Sequence, residues 1–107
     1  MISVLELNEL LVANNCLHAI SIQLNDDGMA YDLSLSISAS EKAGTDVVHI
    51  RFIDVSQVMF RDFGGGLTQI MHMSVNKLDS GFDRILYQLT DLEDDKLSFC
   101  FSSFSVA

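Results

Sequence analysis

Ten residues, MAYDLSLSIS at positions 29 to 38, put Met29, Tyr31, Leu33, Leu35 and Ile37 on one side of an extended chain. Asp32, Ser34, Ser36 and Ser38 fall on the other. Successive side chains of a strand point to opposite faces, so this alternation demands a β-strand with one apolar and one wet face. The same period of two recurs along the chain. Ile20, Ile22 and Leu24 alternate with Ser21 and Gln23; Val48, Ile50 and Phe52 with His49 and Arg51; Ile85, Tyr87 and Leu89 with Arg84, Leu86 and Gln88. The chain contains no proline, so every backbone N–H remains available to a ladder.

The connections are equally explicit. NDDG, residues 25 to 28, is a tight turn that makes the strands on either side of it a hairpin. SASEKAGTD, residues 38 to 46, is a polar link to the next strand. Asp54 breaks the rhythm between Phe52 and Val58, which predicts one long bent strand, or two strands with a bulge near Asp54. Residues 70 to 75 read as a further strand. Leu97, Phe99 and Phe101 are odd-numbered while Phe104 and Val106 are even, so a bulge is expected at the Ser102–Ser103 pair, where the chain changes phase.

Only the N-terminus is helical. Ser3-Val4-Leu5-Glu6 fits the S-x-x-E capping box, Ile2 and Leu7 are placed for a hydrophobic staple, and Val4, Leu7, Leu10 and Leu11 share one helical face. Asn14-Asn15 suits a left-handed stop, giving a helix over 4–13. No strand–helix–strand crossover is visible. The predicted fold is α+β and mainly β, with six or seven mostly antiparallel strands in a curved sheet or sandwich and one short N-terminal helix. One domain covers 1–107, its β region spanning about 16–106.

Length and charge narrow the function. A chain of 107 residues supports a single core with little room for an interior active site. Fifteen acids against six bases give a net charge of −9. Nucleic acid and anionic membranes bind through clusters of Lys and Arg, so this balance argues against both and favours a cationic partner. No apolar run approaches the roughly 20 residues that span a bilayer. MISVLELNELL lacks the basic first region of a secretory signal, which points to a cytosolic protein. Cys16 and Cys100 are read as buried or half-buried free thiols of a reducing compartment.

The acidic stretch DLEDDK, residues 91 to 96, is too short for an EF-hand-type loop and lacks its glycine, so no metal is expected there. Adjacent carboxylates on a wet turn stay ionised and make a poor acid–base pair. The plainest reading is a solvated connection between strands. The functional reading is electrostatic: Asp91, Glu93, Asp94 and Asp95 form an anionic knob, Asp26 and Asp27 a second at another hairpin tip, and an exposed Asp32 contributes at the margin.

Other candidates are weaker. FGGGL, residues 63 to 67, lacks the Lys-Ser/Thr ending and following helix of a phosphate loop, and no cofactor is implied. His18 shares the face of Ile20 and Ile22 and is expected half-buried. His49 and His72 are expected to face solvent. A catalytic pairing of Cys100 with a histidine would need exposure and a third, orienting group. Met71 and Met73 read as core filling.

The chain as a whole resembles a known family. LHAISI opening an early strand, the acidic hairpin after it, FIDVSQVMF and the ending YQLTDLEDDKLSFCFSSFSV are together similar to the small acidic immunity proteins of bacterial polymorphic and contact-dependent growth inhibition toxins. The likeness spans residues 16 to 106 and is one of strand pattern. It implies a non-enzymatic protein that binds a cognate toxin domain, often a basic nuclease, and occludes its active site or an adjacent surface. The alternative from the residues alone is a structural or ligand-binding β module that pairs through its sheet edges. The oligomeric state, monomer or homodimer, is open.

Overall fold

The computed structural model describes residues 2–40, 46–61, 73–78, 86–92 and 96–106. The chain starts as its capping box dictates. Ser3 is extended and its Oγ accepts the N–H of Glu6 at 3.1 Å, while the Glu6 carboxylate accepts the N–H of Ser3 at 3.4 Å. Helix α1 follows over Val4–Ala13 and buries Leu7 and Leu11 completely. Burial of each leucine is worth roughly 1.5–3 kcal/mol. The stop is not the expected left-handed residue: Asn14 has φ −122° and ψ 78°. Its side-chain amide donates to the Leu10 carbonyl at 2.9 Å and its own N–H to the same oxygen at 3.0 Å, which satisfies the helix end without a positive φ.

Seven strands follow among the described residues: β1 (Cys16–Leu24), β2 (Tyr31–Ser38), β3 (Val47–Phe60), β4 (Met73–Lys77), β5 (Tyr87–Asp91), β6 (Leu97–Phe101) and β7 (Ser103–Val106). All pairings are antiparallel and form one open sheet in the order β1-β2-β3-β6-β5-β4, with β7 alongside β3. The single sheet, not the sandwich, is the arrangement found. The first residues of the strand expected over 70–75, the FGGGL turn, Met71 and His72 lie outside the described residues.

β3 is the spine. Its first half pairs with β2 on one side and β7 on the other, and its second half pairs with β6. The bend expected near Asp54 is present: Asp54 and Gln57 have φ of 57° and 53°, and the register slips between Ser56 and Met59. The opposing chain breaks at the matching level. Ser102 separates β6 from β7 and donates both its N–H and its Oγ to the Ile53 carbonyl, at 3.0 and 3.2 Å. That bulge turns Phe101 and Phe104 to the same buried side, as the change of phase requires.

The core lies on the face that α1 covers. Phe52 from β3 sits edge-on to Phe99 and Phe101 from β6, with ring centroids 4.9 and 4.8 Å apart, and Leu33, Leu35, Ile37, Ile50 and Leu89 surround them. Each aromatic pair adds about 0.5–1.5 kcal/mol beyond area burial.

The opposite face is less wet than the serine pattern suggests. Asp32 and Ser38, at the two ends of β2, are both buried. The expected exposure of Asp32 is therefore corrected: its residue is 6% exposed. One carboxylate oxygen accepts Arg51 Nε at 3.1 Å and the same guanidinium's second nitrogen, and the other accepts the N–H of Asp54 at 3.2 Å. This acid is consumed in holding the β3 bend.

His18 is also corrected. The β1–β2 register slips between Leu17 and Ala19, so the intervening histidine turns outward and is exposed, with Nε2 2.6 Å from Ser38 Oγ.

Candidate protein-binding surface

The tip of the β1–β2 hairpin is built by its own sequence. Gly28 donates its N–H to the Asn25 carbonyl at 3.0 Å, and Asn25 donates to the Ala30 carbonyl at 2.8 Å. The Asn25 side chain accepts the Met29 N–H at 3.3 Å, and Gly28 takes φ +69°, where a side chain would be strained. Asp26 and Asp27 occupy the two central positions of this turn and are exposed. Both sequence-predicted acids stand free of the core.

Apolar side chains surround them. Ile22 lies opposite Leu33 and Leu24 opposite Tyr31, so Ile22, Leu24 and Tyr31 belong to the core face of the sheet. Here that face runs past its cover: Ile22, Leu24, Met29 and Tyr31 are 41%, 55%, 82% and 52% exposed. Contiguous exposed apolar surface rimmed by charge is the anatomy of a protein-binding patch. Asp26 and Asp27 are exposed at the tip, and neither β1 nor β2 carries a Lys or Arg.

The second acidic stretch divides. Asp91 is 2% exposed, which corrects its place in an outward knob. It continues the inward phase of Tyr87 and Leu89, and its Oδ2 accepts the N–H of Lys96 at 3.0 Å, closing the end of the β5–β6 hairpin. Glu93, Asp94 and Asp95 lie outside the described residues. Strand order does bring the ends of this hairpin to the same end of the sheet as Asp26 and Asp27. Tyr31 pairs with Val55 and Leu97 with Phe60, so both hairpins turn toward the C-terminal end of β3. β3 stands between the two hairpins in the sheet order, and they meet it at different levels.

On the other face, cross-strand register makes contacts the sequence did not announce. Ser36 lies opposite His49, and its Oγ is 2.8 Å from Nδ1. A shallow depression there is lined by Ser34, Ser36, His49, Arg51 and Ser105. A Ser–His contact is one element of nucleophilic catalysis, which also needs an orienting group on the imidazole and donors for an oxyanion. Among the described residues no carboxylate is bonded to His49 or His18.

Both cysteines are buried and carry no disulfide. Burial raises the pKa of Cys100, whose thiol faces Gln57 Oε1 at 3.8 Å, so it stays protonated and is unlike an activated nucleophile. Among the described residues no group of three or more His, Cys, Asp or Glu is placed to hold a metal ion, and no helix is long and apolar enough to cross a membrane.

Comparison with known proteins returns no match to a family model, to a curated protein or to a solved structure. Fold and surface define a class by themselves: an open antiparallel β-sheet with, among the described residues, one covering helix and an acidic, partly apolar hairpin rim.

Proposed function

We propose that this chain is a non-enzymatic immunity protein that binds a cationic bacterial toxin domain, a basic nuclease above all, in the cytoplasm and blocks its active site or substrate surface. The observation that carries the reading is the hairpin rim, where Asp26 and Asp27 stand beside exposed Leu24, Met29 and Tyr31. Apolar area supplies affinity, and surplus anionic charge speeds encounter with a surface built to hold nucleic acid. The net charge of −9 supports this without any single acid being decisive. Glu93, Asp94 and Asp95 join the reading through their sequence alone.

The direct test takes the basic C-terminal domain of a large secreted protein encoded beside this chain. Stoichiometric binding and loss of that domain's toxicity support the proposal, and no binding at low salt refutes it. A second reading, a β module that self-associates through sheet edges, draws on the Ala19–Leu24 flank of β1, which pairs with no other described strand than β2. Light scattering separates the two, since a stable dimer in the absence of any partner favours the module.

A further inference from the structure

The two edges of the sheet are treated differently. On β4, Leu78 donates to the Leu86 carbonyl, so by the alternation of an antiparallel ladder Val75 turns its N–H and C=O away from β5. The side chain of Asn8 meets both: its Oδ1 accepts the Val75 N–H at 2.7 Å and its Nδ2 donates to the Val75 carbonyl at 3.0 Å. This edge is plugged by a side-chain amide acting as a short strand.

β1 has no such plug. It pairs with β2 alone among the described residues. Asn25 donates to Ala30, so the same alternation directs the N–H and C=O of Ile20, Ile22 and Leu24 to the open side. From Ala19 to Leu24 the strand carries no charge and no proline, the usual devices that blunt an edge, and five of these six residues are exposed. The bulge at His18 ends the run on one side and the acidic turn ends it on the other.

We infer that the Ala19–Leu24 edge of β1 is a strand-addition site that receives an extended, cationic segment of the partner protein. This rests on the proposed function and specifies how the partner is held. Backbone hydrogen bonds to Ile20, Ile22 and Leu24 supply attachment, and alternate partner side chains lie against Ile22, Leu24 and Tyr31. Charge selects the occupant. The edge ends at Asp26 and Asp27 within a stretch devoid of Lys and Arg, whereas a second copy would bring the same negative charge to it.

The test uses the full chain, isotope-labelled for NMR, and three peptides of about nine residues. One alternates Lys and Val, one is the same peptide N-methylated at every second residue, and one alternates Glu and Val. The Lys–Val peptide is expected to bind and to shift and protect the amides of Ile20, Ile22 and Leu24. The methylated peptide, which keeps charge but loses donors, is expected to bind about tenfold more weakly or worse, and the Glu–Val peptide not at all. No β1 variant is needed, so failure to fold cannot confuse the result.

Equal binding of the two Lys peptides, or shifts confined to other strands, overturns the edge site. Concentration-dependent protection of the β1 amides without peptide overturns the cationic occupant in favour of a second copy. A basic toxin domain that binds and leaves the β1 amides unchanged removes the edge site while the immunity reading stands. Absence of binding by any basic domain removes the reading itself.

Discussion

Asn8 and Val75, 67 residues apart in the chain, are joined by two hydrogen bonds of 2.7 and 3.0 Å that fix α1 against the outer flank of β4. Val75 is 2% exposed, so its backbone groups have no water to fall back on. One side chain thereby satisfies a buried edge and sets the position of the only covering helix among the described residues.

Replacing Asn8 with Ala orphans a buried N–H and a buried carbonyl. Asn8→Ala is expected to lower the unfolding free energy by about 2–3 kcal/mol, read from urea denaturation. It also uncovers the β4 edge, so self-association on dilution-dependent light scattering should rise. An Asn8→Ala protein as stable as wild type and equally monodisperse contradicts this role.

Asp32 is buried and acts in the scaffold. Its carboxylate holds the bend of β3 through Asp54 and meets an Arg51 side chain that is 56% exposed. The ion pair is therefore screened and worth little, and most of the cost of Asp32→Ala comes from the Asp54 N–H, about 1–2 kcal/mol. Association with a cationic domain should be nearly unchanged once the variant is folded. A large loss of affinity with unchanged stability would return Asp32 to the binding surface.

Local signals were legible and register-dependent ones were not. The bounds of α1, the bend of β3 at Asp54 and the phase change at Ser102 each follow from a few neighbouring residues, and the structure has all three. Asp32–Arg51, Ser36–His49 and Asn8–Val75 depend on which strands meet and in which register, across connections that constrain neither. Asp91 carries a local signal: it lies two residues beyond Leu89 and so continues the inward phase, which sets it apart from its acidic neighbours. The outward turn of His18 is not legible, because a one-residue bulge reverses every orientation before it and nothing in CLHAI marks the insertion.

Burial raises the Cys100 thiol above the ordinary value of 9.0. The folded state thus holds its proton where the unfolded chain releases it. Stability from this group is fully present below the unfolded pKa and is lost as pH rises from there through the folded value. Wild type should lose more stability than Cys100→Ala on going from neutral to strongly alkaline buffer, and a disulfide-exchange reagent should label Cys100 slowly until denaturant is added. Rapid labelling in the native state would contradict the burial.

Asp26 and Asp27 offer the sharpest separation of binding from folding. Both sit at exposed central positions of a turn whose geometry is held by Asn25 and Gly28, so the paired change to Lys leaves the scaffold intact, and stability should move by no more than about 0.5 kcal/mol. The local charge changes sign where a cationic domain would approach. Stopped-flow association with such a domain should slow by about tenfold at low salt and converge on wild type as salt is raised, because screening removes the steering in both. The Asp26→Asn, Asp27→Asn pair should fall between. Association rates that are identical at every salt concentration would detach this hairpin from partner recognition, whatever the rest of the acidic surface does.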